Sequence, residues 1–189
     1  MNYLKNFSAW CYRISTLPLL IISGVVFALF MALVLPAMAG GLSEITGVTR
    51  SPDTSFIYKA EELYAMAEAY GEDGRAYYIY TRFTFDMIWP LAYLFFLATS
   101  LSYLYKPLVC QKKAWALVNL LPFAGALFDF LENSAASLVM YRYPLLTPVI
   151  AQLAPGFTFL KWLAIGASFV ALALGVAGRM REKFLKLSD

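Results

Sequence analysis

Histidine is missing from all 189 residues. That excludes imidazole general bases, Ser-His triads, His-ligated haem and His-bound metals. Cysteine is nearly missing too: Cys11 and Cys110 stand far apart and neither belongs to a CxxC pair. Thiol–disulfide catalysis is therefore not expected, and both read as free, reduced thiols on the cytoplasmic side. Charge is scarce, at 14% of residues against about 25% in soluble domains. The net charge of +3 is spread by topology and not gathered into a patch. With no helix-turn-helix pattern, zinc-finger spacing or basic–aromatic patch, nucleic acid is excluded as a partner.

What fills the chain is apolar: 61% of it is hydrophobic, which places it among membrane proteins. Four apolar stretches are each long enough to cross a bilayer, at about 17–37, 85–105, 114–140 and 157–177. With ~20 residues per span little is left for a second core, so 1–189 is read as one domain. The predicted fold is an all-α membrane protein with four transmembrane helices in a bundle. Ala37-Met38-Ala39 has the form of a signal-peptidase site. The apolar run from Leu17 to Leu35 exceeds a signal peptide's ~7–15-residue core, so a retained anchor is expected.

Basic residues orient the spans. Lys5, Arg13, Lys106, Lys112, Lys113, Arg179, Arg181, Lys183 and Lys186 fall on one side. The other side holds Arg50, Lys59, Arg75, Arg82, Arg142 and, at the membrane edge, Lys161. Both termini are therefore expected in the cytoplasm of a bacterial inner-membrane protein, with 38–84 and 141–156 outside. The 38–84 segment reads as a helical lid between helices 1 and 2. Lys59–Tyr70 is amphipathic, with Leu63, Met66 and Tyr70 at helical spacing and Gly71 as a stop. Gly71–Gly74 reads as a turn, Asp73 as the cap of a second helix, and that helix as running unbroken into the second span.

The residues that carry chemistry lie at one depth. Lys106 to Asp86 is about 30 Å along a helix, Lys113 to Glu132 about 28 Å and Arg179 to Lys161 about 27 Å. All reach the outer edge of a hydrocarbon core ~30 Å thick. Asp129, Glu132 and Asn133 stand at i, i+3 and i+4, on one helix face. Arg82 and Asp86 are an i, i+4 pair, in one stripe with Arg75, Pro90 and Tyr93. Charges at such depth persist only when they pair or serve a ligand. Arg82, Asp86, Asp129, Glu132, Asn133 and Lys161 are thus the candidate ligand-binding residues, with Arg75 and Tyr93 behind them. Ala164, Ala167, Ser168, Ala171, Gly175 and Gly178 form a small-residue ridge on helix 4, suited to internal packing or to a homodimer seam.

Several of these residues carry a resemblance. Tyr70-Gly71 through Gly74-Arg75 and Tyr77, Asp86 with Pro90 and Tyr93, Asp129 with Glu132-Asn133, and Thr158 with Lys161 together resemble a group of uncharacterised four-helix bacterial membrane proteins. The resemblance implies the fold and no activity. The leading expectation is binding of a small amphiphile or lipid headgroup in a polar pocket at the outer-leaflet end. In it, Asp86, Asp129, Glu132 and Asn133 act as acceptors and Arg82 and Lys161 as positive groups. The alternatives are a membrane enzyme, using Asp86, Asp129 and Glu132 for acid–base or divalent-metal chemistry, and an accessory subunit docked through its lid. Membrane lipids are the expected partners, and no resident cofactor or metal is assigned.

Overall fold

In a computed structural model, residues 2–38, 40–109 and 115–188 are described, and among them every regular element is helical. Chain order is α1 (Asn2–Ile14), α2 (Leu17–Leu29), a π turn (Phe30–Val34), α3 (Leu35–Met38), α4 (Gly41–Thr46), a 3₁₀ turn (Pro52–Thr54), α5 (Ala60–Arg82), α6 (Phe85–Val109), a 3₁₀ turn (Val118–Leu120), α7 (Leu121–Arg142) and α8 (Pro148–Ser188). Three helical stretches are long and apolar enough to cross a membrane: Leu17–Val34, Ala60–Val109 and Pro148–Arg181. The 22-residue α7 is long enough, but Asp129, Glu132 and Asn133 make it more polar. Cys110, Lys112 and Lys113, and Ala39 of the peptidase-like motif, lie outside the described residues.

Several boundaries differ from those expected. The third apolar stretch becomes regular α-helix at Leu121 and not near 114; Trp115–Leu120 form turns ahead of it. α8 begins at Pro148, so most of the expected 141–156 loop is helix. Within α5 only Gly71 leaves helical geometry, at φ 65° and ψ −173°. A side chain would oppose that left-handed φ, and glycine does not. The kink thus occupies one residue, and Asp73 sits inside the resumed helix instead of capping it. Nor does that helix run unbroken into α6. It ends at Arg82, and Phe83 and Thr84 form a turn in which the Thr84 hydroxyl donates to the Tyr80 carbonyl at 2.7 Å. Such back-bonding loosens the helical ladder, and the break occurs without glycine or proline.

The chain divides into two compact units. One contains residues 1–28, 92–124 and 164–189. Its core is Tyr12, Leu101, Tyr105 and Ala171. Its buried polar groups are neutral: the Asn119 amide donates to the Ser8 carbonyl at 3.2 Å and the Ser102 hydroxyl at 3.0 Å. The Ser8 hydroxyl lies in reach of the Asn119 Oδ1 at 2.7 Å. The helix α1, which the sequence pattern did not reveal, has three faces. Ser8, Cys11 (a free thiol) and Tyr12 are buried, Tyr3, Phe7, Trp10 and Ile14 form an exposed apolar stripe, and Lys5 and Arg13 stand on the third side. On α8, Ser168, Ala171 and Gly175 face inward. The Tyr105 hydroxyl donates to the Ala171 carbonyl at 2.9 Å. The inner part of the ridge, at Ala171 and Gly175, is therefore filled by α6 within the unit, while Gly178 stands exposed.

The other unit contains residues 29–91 and 125–163. The expected amphipathic face of α5 is buried there: Leu63, Met66, Ala67 and Tyr70 pack with Ala135, Ala136, Val139 and Met140 of α7 and Ala151 and Ala154 of α8. This unit holds the charged residues described below.

Gly175 tests the close approach of α8 to α6. A Cβ there would stand 2.9 Å from the Tyr105 ring and 3.3 Å from Leu104. Gly175→Val should lower stability by about 1–3 kcal/mol, the usual cost of overpacking. Thermal melting in detergent checks this, and an unchanged melt would mean the approach is not tight.

Candidate functional site

The site is built from four pieces of the second unit. The first is the turn at Pro52–Thr54, entered from Ser51 in extended geometry at φ −135° and ψ 150°. The Ser51 hydroxyl donates to Asp53 Oδ2 at 3.1 Å, while the Thr54 and Ser55 hydroxyls donate back to the Ser51 carbonyl at 3.1 and 2.9 Å. The turn is tied to α8 by the Trp162 indole N–H, which donates to the Asp53 carbonyl at 3.3 Å. A buried contact between the Tyr58 and Thr158 hydroxyls at 3.0 Å adds a second tie. The Tyr70 hydroxyl donates to the Arg50 carbonyl at 2.6 Å. Asp53 is thereby aimed inward.

α5 and α6 supply Arg82 and Asp86 on either side of the Phe83–Thr84 turn. Arg82 pairs with Asp53 and, at 2.5 Å, with Asp86. Its guanidinium lies 4.6 Å from the Tyr78 ring centroid. α7 supplies Asp129, Glu132 and Asn133, and α8 supplies Thr158 and Lys161. Lys161 pairs closely with Glu132 and stands 3.7 Å from Asp53 and 3.8 Å from Asp129. The Asn133 amide donates to Asp129 Oδ1 at 3.4 Å. Side-chain exposure falls from 21% at Asp53 through 13% at Arg82 to 4% at Lys161 and 0% at Glu132. Depth counted along the helices makes Asp129 the deeper carboxylate. Tertiary packing instead encloses Glu132 more completely, since Asp129 keeps 7% exposure.

The structure therefore brings Arg82, Asp86, Asp129, Glu132, Asn133 and Lys161 into one connected set. Arg75 is not part of it: its guanidinium donates to the Ala67 carbonyl at 3.0 Å and lies over the Tyr143 ring. Tyr93 is buried in the first unit. Sequence reasoning missed Asp53, which touches both bases, and the hydroxyls of Tyr58 and Tyr78. The Ser51-Pro52-Asp53-Thr54 run carries a turn signal, but a turn signal does not say that its carboxylate points inward. Among the described residues no group of three acidic or sulfur side chains converges tightly enough to hold a metal ion.

Several buried polar atoms lack a hydrogen-bond partner among the described residues, including the Ser100, Ser137 and Thr147 hydroxyls away from the charged set and two uncharged groups within it. Asn133 Oδ1 and the Tyr78 hydroxyl have no hydrogen-bond partner, though their residues are 2% and 0% exposed. An unmade hydrogen bond at such a buried group costs about 1–3 kcal/mol.

Asp53 gives the set a pH dependence. Burial pushes its carboxyl up, but Arg82 and Lys161 together outweigh burial and hold it below the usual carboxylate range. A depressed carboxylate stabilises the fold fully above its unfolded value of about 3.9, and the contribution is lost as pH falls through the lower folded value. At neutral pH, Asp53→Asn should cost on the order of 2 kcal/mol, since a charged hydrogen-bonded partner is removed. That deficit should shrink as the pH is taken below about 4. Paired melts of the two proteins across pH check this, and a pH-independent deficit would contradict it.

Compared with protein-family models, curated proteins and solved structures, the chain finds no match. The resemblance to four-helix bacterial membrane proteins rests on its motifs alone.

Proposed function

We propose that the chain is a four-span protein of a bacterial inner membrane that binds the headgroup of a small amphiphile at the charged set of the second unit. The membrane part draws support from α2, where Leu17, Ile21, Ile22, Val25, Val26 and Leu29 are all exposed. Covering a large aliphatic side chain is worth about 1.5–3 kcal/mol, so six left bare on one helix suit lipid and not water. α1 then lies along the headgroup plane, its Tyr3–Phe7–Trp10–Ile14 stripe in lipid and Lys5 and Arg13 in the wet layer. α7 is the fourth span. On this reading both termini are cytoplasmic, and the 40–58 segment with α5 forms the outer lid.

The observation that carries the binding reading is the pair of buried, unpartnered acceptors, Asn133 Oδ1 and the Tyr78 hydroxyl. They support the reading because they lie beside the charged set; the Ser100, Ser137 and Thr147 hydroxyls are also unpartnered but stand apart from it. A second reading is favoured by a different fact: Arg82 and Lys161 each touch more than one carboxylate, as a keystone for helix register would. The buried apolar face of α5 gives the accessory-subunit alternative less support, because that face is already covered.

Tyr78→Phe and Asn133→Ala separate the first two readings. Each removes an unpartnered acceptor and leaves all six charges in place. If the acceptors serve a ligand, Tyr78→Phe should melt no lower than wild type, Asn133→Ala should melt somewhat lower because it also loses the N–H donated to Asp129, and both should lose a stoichiometric amphiphile in native mass spectrometry after gentle extraction. Wild-type protein that carries no such amphiphile would leave the keystone reading. Topology is checked by labelling Thr54→Cys and Ser188→Cys in a background with Cys11 and Cys110 replaced by Ser. An impermeant thiol reagent on intact spheroplasts should reach position 54 and not 188.

A further inference from the structure

Charge counting narrows what the site can receive. Four carboxylates, Asp53, Asp86, Asp129 and Glu132, share two bases. Both bases are engaged: Arg82 by Asp53 and Asp86, Lys161 by Glu132 with Asp129 and Asp53 beside it. The nearby basic residues are used elsewhere, Arg50 by Glu62 at 2.6 Å and Arg75 by the Ala67 carbonyl and the Tyr143 ring. A phosphate entering this set would meet four carboxyl groups and, among the described residues around it, no uncommitted cation. Arg82 and Lys161, expected to supply positive charge to the headgroup, are both already engaged by carboxylates.

The unpartnered atoms point the same way, independently of the charge count. Asn133 Oδ1 can only accept a hydrogen bond, and the Tyr78 hydroxyl can accept one. Both belong to residues at most 2% exposed. Asn133 stands beside Asp129, to which its own N–H donates. Tyr78 lies under Arg82, in the field of Asp53 and Glu132. The excess of carboxyl groups over bases and the acceptor-only Asn133 Oδ1 together favour a cation that carries N–H donors. A compact divalent metal suits them poorly, because it needs six or more oxygen ligands in close array, and here the two bases stand between the carboxylates. An alkylammonium brings one positive charge and three N–H groups, which two or three acceptors satisfy.

We infer that the headgroup recognised here is the ammonium of an aminated amphiphile and not a phosphate. The inference rests on the headgroup-binding reading. Asp129, Asn133 and Tyr78 accept from the ammonium, Glu132 and Lys161 hold Asp129 and Asn133 in place, and Arg82 keeps the Asp53 turn closed.

The test uses the full chain in an uncharged maltoside detergent with three probes of one tail: octadecylamine, its N-acetyl derivative and octadecyl phosphate. Native mass spectrometry counts bound probe and a parallel melt reads the shift. The amine should bind one per chain, about tenfold more tightly than the amide, the loss expected when a charged donor is made neutral, and the phosphate should bind least. Asn133→Ala and Tyr78→Phe should each lower amine binding severalfold, and Tyr78→Phe, which breaks no hydrogen bond of the unliganded protein, should do so without lowering the unliganded melt. Equal or tighter binding of amide or phosphate would overturn the ammonium assignment and leave headgroup binding standing. Binding of none of the three would overturn both. Amine binding unaffected by either variant would mark it as general attraction to the protein's acidic groups, and would also overturn the assignment.

Discussion

The Lys161 ammonium sits 4% exposed with Glu132 against it and Asp129 and Asp53 within 3.8 Å. A cation so enclosed is tolerable only because carboxylates surround it, and Glu132, fully enclosed beside it, depends on that cation in turn. Those partners come from the Pro52–Thr54 turn and α7, while Lys161 itself comes from α8, so one ammonium fixes the register of three separate pieces of chain. Arg82 repeats the device at lower burial, joining the same turn to the start of α6. Asp53 belongs to both, and without it the two ion-pair groups would share no member.

The two units use buried polarity differently. Around Asn119 the groups are neutral and complementary: Nδ2 donates to the Ser8 carbonyl and the Ser102 hydroxyl, and Oδ1 meets the Ser8 hydroxyl. Such a closed network adds specificity with little electrostatic risk. Around Lys161 the groups are charged, unequal in number and accompanied by acceptors that nothing inside the protein satisfies. The first arrangement is what a fold needs. The second exceeds what a fold needs, and for that reason we place function there.

Much of this was legible in advance because helices convert spacing into geometry. The i, i+3, i+4 spacing of Asp129, Glu132 and Asn133, the Arg82–Asp86 pair and the Leu63–Met66–Tyr70 face all follow from a period of 3.6 residues. Asp53 was not legible, since a four-residue turn has no period and its direction is set by distant contacts with Trp162 and Thr158. The break at Phe83–Thr84 was hidden for a related reason: the helix ends where no glycine or proline marks it. The late start of α7 was hidden because apolar composition alone does not tell helix from turn. The full enclosure of Glu132 was not legible, because rise along one helix says nothing of what neighbouring helices cover.

The order of the charges along the chain bears on how the protein is made. From the N-terminus they run Asp53, Arg82, Asp86, Asp129, Glu132, Lys161, so the last base arrives after every acid. On the four-span reading, α7 leaves the ribosome with two carboxylates while Arg82 is already occupied by Asp53 and Asp86. Lys161 follows Glu132 by 29 residues, about 1.5–6 s of synthesis at ~5–20 residues per second. During that interval lipid is a poor host for α7, and the insertion machinery or the earlier helices must shelter it. On that reading the α8 lysine, arriving last, is what would let α7 settle into the bilayer.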